Sequence, residues 1–213
     1  MRPVKVTQEL YFITRRRSAY LRSLLPTQPS IFSKQLDRRV AFVAIELLNS
    51  WAGYSRALYL STCRGALDAR LRKLTINQHF ATDEEALYFA AKRFNPKLRP
   101  WPTRITHRDE PDWLDPNILL ILLDDLGASN SLDVGAALSF DWQVFRDLPT
   151  VRNFYAHRRE NTARKTQQLM ITYGLSPVLH PTEFCLAYER GKSQSILLNW
   201  VDEMNQVQEL AVS

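Results

Sequence analysis

Apolar residues recur every three to four positions through most of this chain, and strict alternation is rare. That is the helical period. From Ser33 to Leu74 the pattern predicts a long first helix, interrupted near Gly65. At about 100° per residue, Val40, Val43, Leu47, Trp51, Tyr54 and Leu58 share one side of it and form a core face. Thr82-Asp83-Glu84-Glu85 is a capping-box pattern that starts a second helix, which Asn95-Pro96 ends near Phe94. Five prolines from Pro96 to Pro116, interleaved with Trp101 and Trp113, predict a long irregular loop. Asp115 as N-cap and Pro116 at the first helical position then open a short apolar helix to about Leu126.

Further helices are expected at 138–148, at 150–173 behind Pro149 and closed by Gly174, and at 193–210. A short extended stretch fits between Pro181 and the last of these. Residues 1–30, with Pro26 and Pro29, read as an N-terminal arm ahead of a single domain over 31–213. No sheet is required, so the expected class is all-α, and only 6 glycines in 213 residues agree with it.

Composition narrows the function classes. A hydrophobic fraction of 45% supports a folded core. The balance of 28 Lys+Arg against 22 Asp+Glu favours polyanionic partners, and the excess is clustered. The clusters are Arg15-Arg16-Arg17, Arg38-Arg39, the run Arg64 to Lys73 and the run Arg158 to Lys165. Arginine dominates them, and its planar fork suits phosphate. Any one cluster reads equally well as a solvated helix face. Cys63 and Cys185 have neither metal nor redox spacing, which points to a reducing compartment. Arg2 and Lys5 are followed by Gln8, Glu9 and Arg15 before any long apolar run, so no secretory leader is expected. The longest apolar block, Ile118 to Leu123, is too short to span a bilayer. Together these features predict a cytoplasmic protein with no membrane partner and no metal or other cofactor.

Chemistry is concentrated at Arg152-Asn153-Phe154-Tyr155-Ala156-His157. On a helix beginning near Thr150, Asn153 and His157 share one face with Glu160, Arg164 and Gln168. Arg152 reaches the same patch from the side, and the site is expected near the positive end of the helix, where anions are favoured. RNA carries its own nucleophile, the 2′-hydroxyl, so cleavage requires a proton acceptor, a proton donor and a cation. A histidine serves the first two roles and an arginine the third.

The hexapeptide resembles the Arg-x(4–6)-His motif of the HEPN superfamily, in which a polar residue such as Asn153 commonly follows the arginine. Residues 46–60 are similar to the long first helix of such proteins. The resemblance implies a HEPN-like bundle of four to five core helices that dimerises, two motifs facing each other across one composite site. It also implies a metal-independent endoribonuclease that takes RNA, acting as a toxin, in phage defence or in RNA processing. An antitoxin or other protein partner encoded nearby is then expected. Arg152 and His157 would be the catalytic pair, with Asn153 orienting them, and Arg158, Arg159 and Arg164 would contact RNA. Helical spacing puts Glu46, Asn49, Gly53 and Arg56 within about a quarter-turn of each other. Glu46 and Asn49 are therefore expected to line the cleft and contact Arg152 or His157, with Arg56 and Glu160 also lining it; the alternative is the solvent face of an amphipathic helix.

Other residues read more plainly. His79, His107 and His180 stand alone, and Asp124-Asp125 reads as a solvated helix end. Ser61-Thr62-Cys63 has no local base, and no Walker-type glycine loop is present. Trp101 and Trp113 read first as loop packing and second as base-stacking groups. The Arg64 to Lys73 run is a weaker candidate for guiding an RNA backbone. The competing function is a non-catalytic helical module that binds RNA or protein. A DNA-binding regulator would require a recognition helix behind a short turn, and the sequence has no clear candidate.

Overall fold

The helical period is realised in nine α-helices among residues 7–27, 32–189 and 191–212, those that the computed structural model describes, and none of them forms a strand. The helices are α1 (Thr7–Ser23), α2 (Lys34–Cys63), α3 (Asp83–Phe94), α4 (Pro116–Asp125), α5 (Ser131–Leu138), α6 (Gln143–His157), α7 (Glu160–Thr172), α8 (Pro181–Leu186) and α9 (Ile196–Leu210). Among the described residues no helix is long and apolar enough to cross a membrane. Arg2, Lys5 and Pro29 lie outside the described residues.

Two compact units are formed. One comprises Met1–Thr14, Trp51–Phe140 and Val207–Ser213, and the other Arg15–Ser50 and Asp141–Gln206. The core of the first unit buries Tyr54, Leu58 and Tyr59 of α2, Leu87 and Ala90 of α3, Leu119, Leu122 and Leu123 of α4, and Val134 of α5. Its deep phenols are satisfied, Tyr54 donating to the Gln208 carbonyl at 2.9 Å and Tyr59 to that of Ala86 at 2.7 Å. The second unit buries Leu21, Val40, Val43, Leu47, Leu148, Val151, Met170, Phe184 and Trp200. Each such aliphatic side chain contributes about 1.5–3 kcal/mol, which is why the predicted face of α2 is the best realised feature of the fold. The first thirty residues, expected as an arm, contain α1, whose Leu10, Tyr11 and Leu21 are buried.

Local signals are met where they are strongest. Thr82 caps α3, its hydroxyl accepting from Glu85 N at 3.2 Å, while the Glu85 carboxylate accepts from Ala81 N. Asp115 caps α4 and accepts from Asn117 N at 2.9 Å, with Pro116 at the first helical position.

Two boundaries are corrected. The first long helix ends at Cys63, at the interruption expected near Gly65, and does not resume towards Leu74. Gly65 takes a left-handed φ of +67°, Ala66 N bonds back to the Ser61 carbonyl, and the chain leaves the helix. The pair of helices expected at 138–148 and 150–173 is divided elsewhere, because α6 runs through Pro149 and stops at His157. Val144, Leu148, Val151 and Tyr155 make one buried stripe on both sides of the proline, and that burial outweighs the hydrogen bond that Pro149 cannot make. From Ala156 to Asn161 every residue is exposed, so no burial sustains a helix there. Arg158 turns left-handed at φ +46°, and α7 begins two residues later.

Candidate functional site

The hexapeptide forms the last turn and a half of α6, with His157 as its final helical residue. The expectation that it lies near the positive end of a helix is therefore reversed. Unpaired carbonyls gather at this end, so the backbone of α6 itself does not favour phosphate there, whereas α7 begins nearby at Glu160. Arg152 and His157 are about 140° apart around the axis, and Asn153 and His157 share a face. His157 and Asn153 are exposed, and Arg152 is half-buried. Arg152 Nη1 donates to Asn153 Oδ1 at 3.2 Å, while its buried Nε has no partner among the described residues.

Arg158 and Arg159 follow directly and are exposed. The Arg158 guanidinium lies 5.7 Å from the ring centre of Phe154 and 5.5 Å from that of Tyr155. Its Nη2 donates to Asp37 Oδ2 at 2.9 Å. Asp37, in the first turn of α2, also accepts from the Thr182 hydroxyl at 2.6 Å. Thr182 has one hydroxyl proton and gives it to Asp37, so the Tyr155 hydroxyl donates to Thr182 at 3.0 Å. His180 Nδ1 accepts from Thr182 N at 3.2 Å and caps α8, which leaves Nε2 to carry the proton of the neutral ring. His180 also meets the Phe154 ring edge-on at 6.1 Å.

Burial pushes the Asp37 carboxyl up, but the bonds from Thr182 and Arg158 and the charge of Arg158, with that of His180 when its ring is protonated, outweigh it and hold it below the usual carboxylate range. Burial pushes the Tyr155 phenol well above its ordinary value and the Cys185 thiol up to about 12, so neither ionises near neutrality.

This cluster of Asp37, His180 and Thr182 behind Arg158 and Tyr155 escaped the sequence reading. The one local signal was His180-Pro181-Thr182-Glu183, a capping-box pattern in which Glu183 accepts from His180 N at 2.8 Å. His180, read as solitary, is thus a helix cap beside an ion pair.

The remaining expected residues are distributed as follows. Glu46 is bonded by Arg17 of α1 and by Asn49 Nδ2 at 3.0 Å; neither Arg152 nor His157 is among its partners in the described residues. Arg56 belongs to the first unit, where its Nε and Nη2 grip Glu110 at 2.6 and 3.1 Å. The Glu110 side chain is only 6% exposed and also accepts from Trp113 Nε1, so Arg56 anchors the proline-rich loop. Glu160 and Arg164 form an exposed pair one turn apart on α7 at 3.0 Å. In the Arg64 to Lys73 run, Arg64 is paired with Asp83 and Arg72 with Asp68. Among the described residues no group of three or more His, Cys, Asp or Glu side chains is placed to hold a metal ion.

Fold and site define an all-α protein with a basic, histidine-bearing helix end. Compared with protein-family models, with curated proteins and with solved structures, the chain gives no match in any of the three.

Proposed function

We propose that this chain is a metal-independent endoribonuclease of the HEPN type, built on a HEPN-like bundle and acting as a toxin or phage-defence effector. The observation that carries the reading is the exposed His157 closing α6, with Arg152 and Asn153 behind it and Arg158 and Arg159 directly after it. An imidazole takes the 2′-hydroxyl proton as the 2′-oxygen attacks phosphorus, and a second imidazole protonates the departing 5′-oxygen. The products are a 2′,3′-cyclic phosphate and a 5′-hydroxyl. Arg152 offsets the charge that grows on the phosphoryl oxygens. His157 alone cannot accept and donate in the same step, so a second copy of the chain completes the site.

Purified protein is expected to cleave RNA in EDTA and leave 2′,3′-cyclic ends. His157→Ala and Arg152→Ala should each lower the rate at least 100-fold, roughly the scale of losing an acid–base or charge-stabilising group, with helix content and oligomeric state retained. Undiminished cleavage by either variant removes the site.

A second reading, a non-catalytic module that binds RNA or protein, draws on the structural use of Arg158 against Asp37 and two rings. It predicts salt-sensitive association with RNA or a protein partner and no product.

A further inference from the structure

Trp101 and Trp113 occupy the same proline-rich loop but have opposite surroundings. Trp113 is 7% exposed, packs on Tyr59 and donates its indole N–H to Glu110, as a core residue does. Trp101 is 40% exposed and forms the wall shared by two concavities of the first unit. One is a cavity of about 320 Å³ whose lining includes Phe80, Tyr88, Phe89, Lys92 and Arg93 besides Trp101. The other is a groove lined in part by Arg104. The first cavity lies at the small end of ligand sites, which run to roughly 300–1,000 Å³.

Its rings are in tilted pairs, Tyr88 with Trp101 at 5.5 Å and 50°, and Phe80 with Phe89 at 5.6 Å and 57°. The loop is held in place, because Lys92 Nζ donates to the carbonyls of Pro96 at 2.6 Å and Leu98 at 2.7 Å. An ammonium has three donors, so one remains on Lys92; Arg93 is ion-paired through Nε with Asp125, which offsets part of its charge and leaves its Nη donors. Glu85, also in the lining, is tethered through one oxygen to Ala81 N, and Gln78 adds an amide.

Four rings are the wrong lining for a bare phosphate, and two cations are the wrong lining for a quaternary ammonium. A planar aromatic group carrying negative charge satisfies both. We propose that this cavity binds a nucleotide, its base stacked on Trp101 and its phosphate met by Lys92 and Arg93, with Glu85 and Gln78 facing the base edge. The ligand is a free nucleotide or one unit of a single-stranded RNA, and the RNA form rests on the ribonuclease reading.

The test uses the full chain carrying His157→Ala, so that binding is read without cleavage. It is titrated at one fixed salt concentration with the ribonucleoside 5′-monophosphates and with a short oligoadenylate. Trp101→Ala should weaken binding about tenfold or more, the scale of one lost base–aromatic stack, and Trp101→Phe should restore most of it. Arg93→Gln, which leaves all four rings in place, should weaken binding several-fold. Saturation by the monophosphates identifies a free nucleotide as sufficient, and saturation by the oligonucleotide alone identifies a unit within a strand; each supports the site. Absence of binding by both probes, or wild-type affinity in both Trp101→Ala and Arg93→Gln, overturns it. The two readings fail separately. Cleavage by the chain with His157 intact, together with wild-type affinity in both cavity variants, removes only the nucleotide cavity, whereas Trp101-dependent binding with no cleavage by the chain with His157 intact removes only the nuclease.

Discussion

Asp37 ties the start of α2 to the residue that follows the hexapeptide, and the direction of its shift fixes how that tie responds to pH. Its carboxyl lies below the ordinary range in the folded protein. A folded value below the unfolded one means that the contribution is complete at neutral pH and is lost as pH falls through the acid range. Asp37→Asn is therefore expected to cost about 1–3 kcal/mol at neutral pH, the scale of hydrogen bonds to a charged group. The gap from wild type should close in acid. Thermal melts followed from neutral to acid pH check this, and a gap that stays constant with pH would exclude the ion pair as its cause. Asp37 and Thr182 are 145 positions apart, so no local pattern pairs them. His180, read as solitary, could have been recognised in the sequence only as the cap of α8, because capping depends on the next three residues and the ion pair beside it does not.

At the scale of elements, caps and stops followed local chemistry. Thr82, Asp115 and Gly174 each act where the sequence places them, since the backbone groups they satisfy lie within a few residues. Gly174 takes φ +68°, Leu175 N bonds back to the Met170 carbonyl, and a Cβ there would meet nothing within 4 Å. Gly174→Ala should therefore cost only the conformational penalty, about 1–2 kcal/mol, and Gly174→Asn less; chemical denaturation reads both. Pro149 was the misleading signal. Taken as the start of a helix, it lies inside one, because Val144 and Leu148 before it and Val151 and Tyr155 after it are buried together. That correction moved His157 from the first turns of a long helix to the end of a shorter one.

For the whole protein, the nuclease reading stands or falls with a second copy. Mixing His157→Ala with wild type gives a prediction that a self-sufficient monomer does not share. If subunits exchange freely in an equal mixture, about a quarter of the dimers keep both imidazoles, and RNA cleavage should fall to that fraction. A fall to one half, simple dilution, would indicate a site complete in one chain. The charge excess, 28 Lys+Arg against 22 Asp+Glu, does not by itself identify the surface that meets RNA, because Arg17, Arg56, Arg64, Arg72 and Arg158 are all engaged by carboxylates.

The helical class, the core face of α2, the caps of α3 and α4 and the close of α7 were determined by the sequence alone. Each depends on spacing within a few turns, and the chemistry of those positions is fixed by residue type. Tertiary structure decided which arginines are tied up, where α6 ends, and which tryptophan is exposed. Those outcomes depend on groups far apart in the chain and on which apolar stripe finds a partner. The hexapeptide at 152–157 belongs to both: its residue types were visible from the start, and its position at the carbonyl end of α6, backed by Asp37, was not.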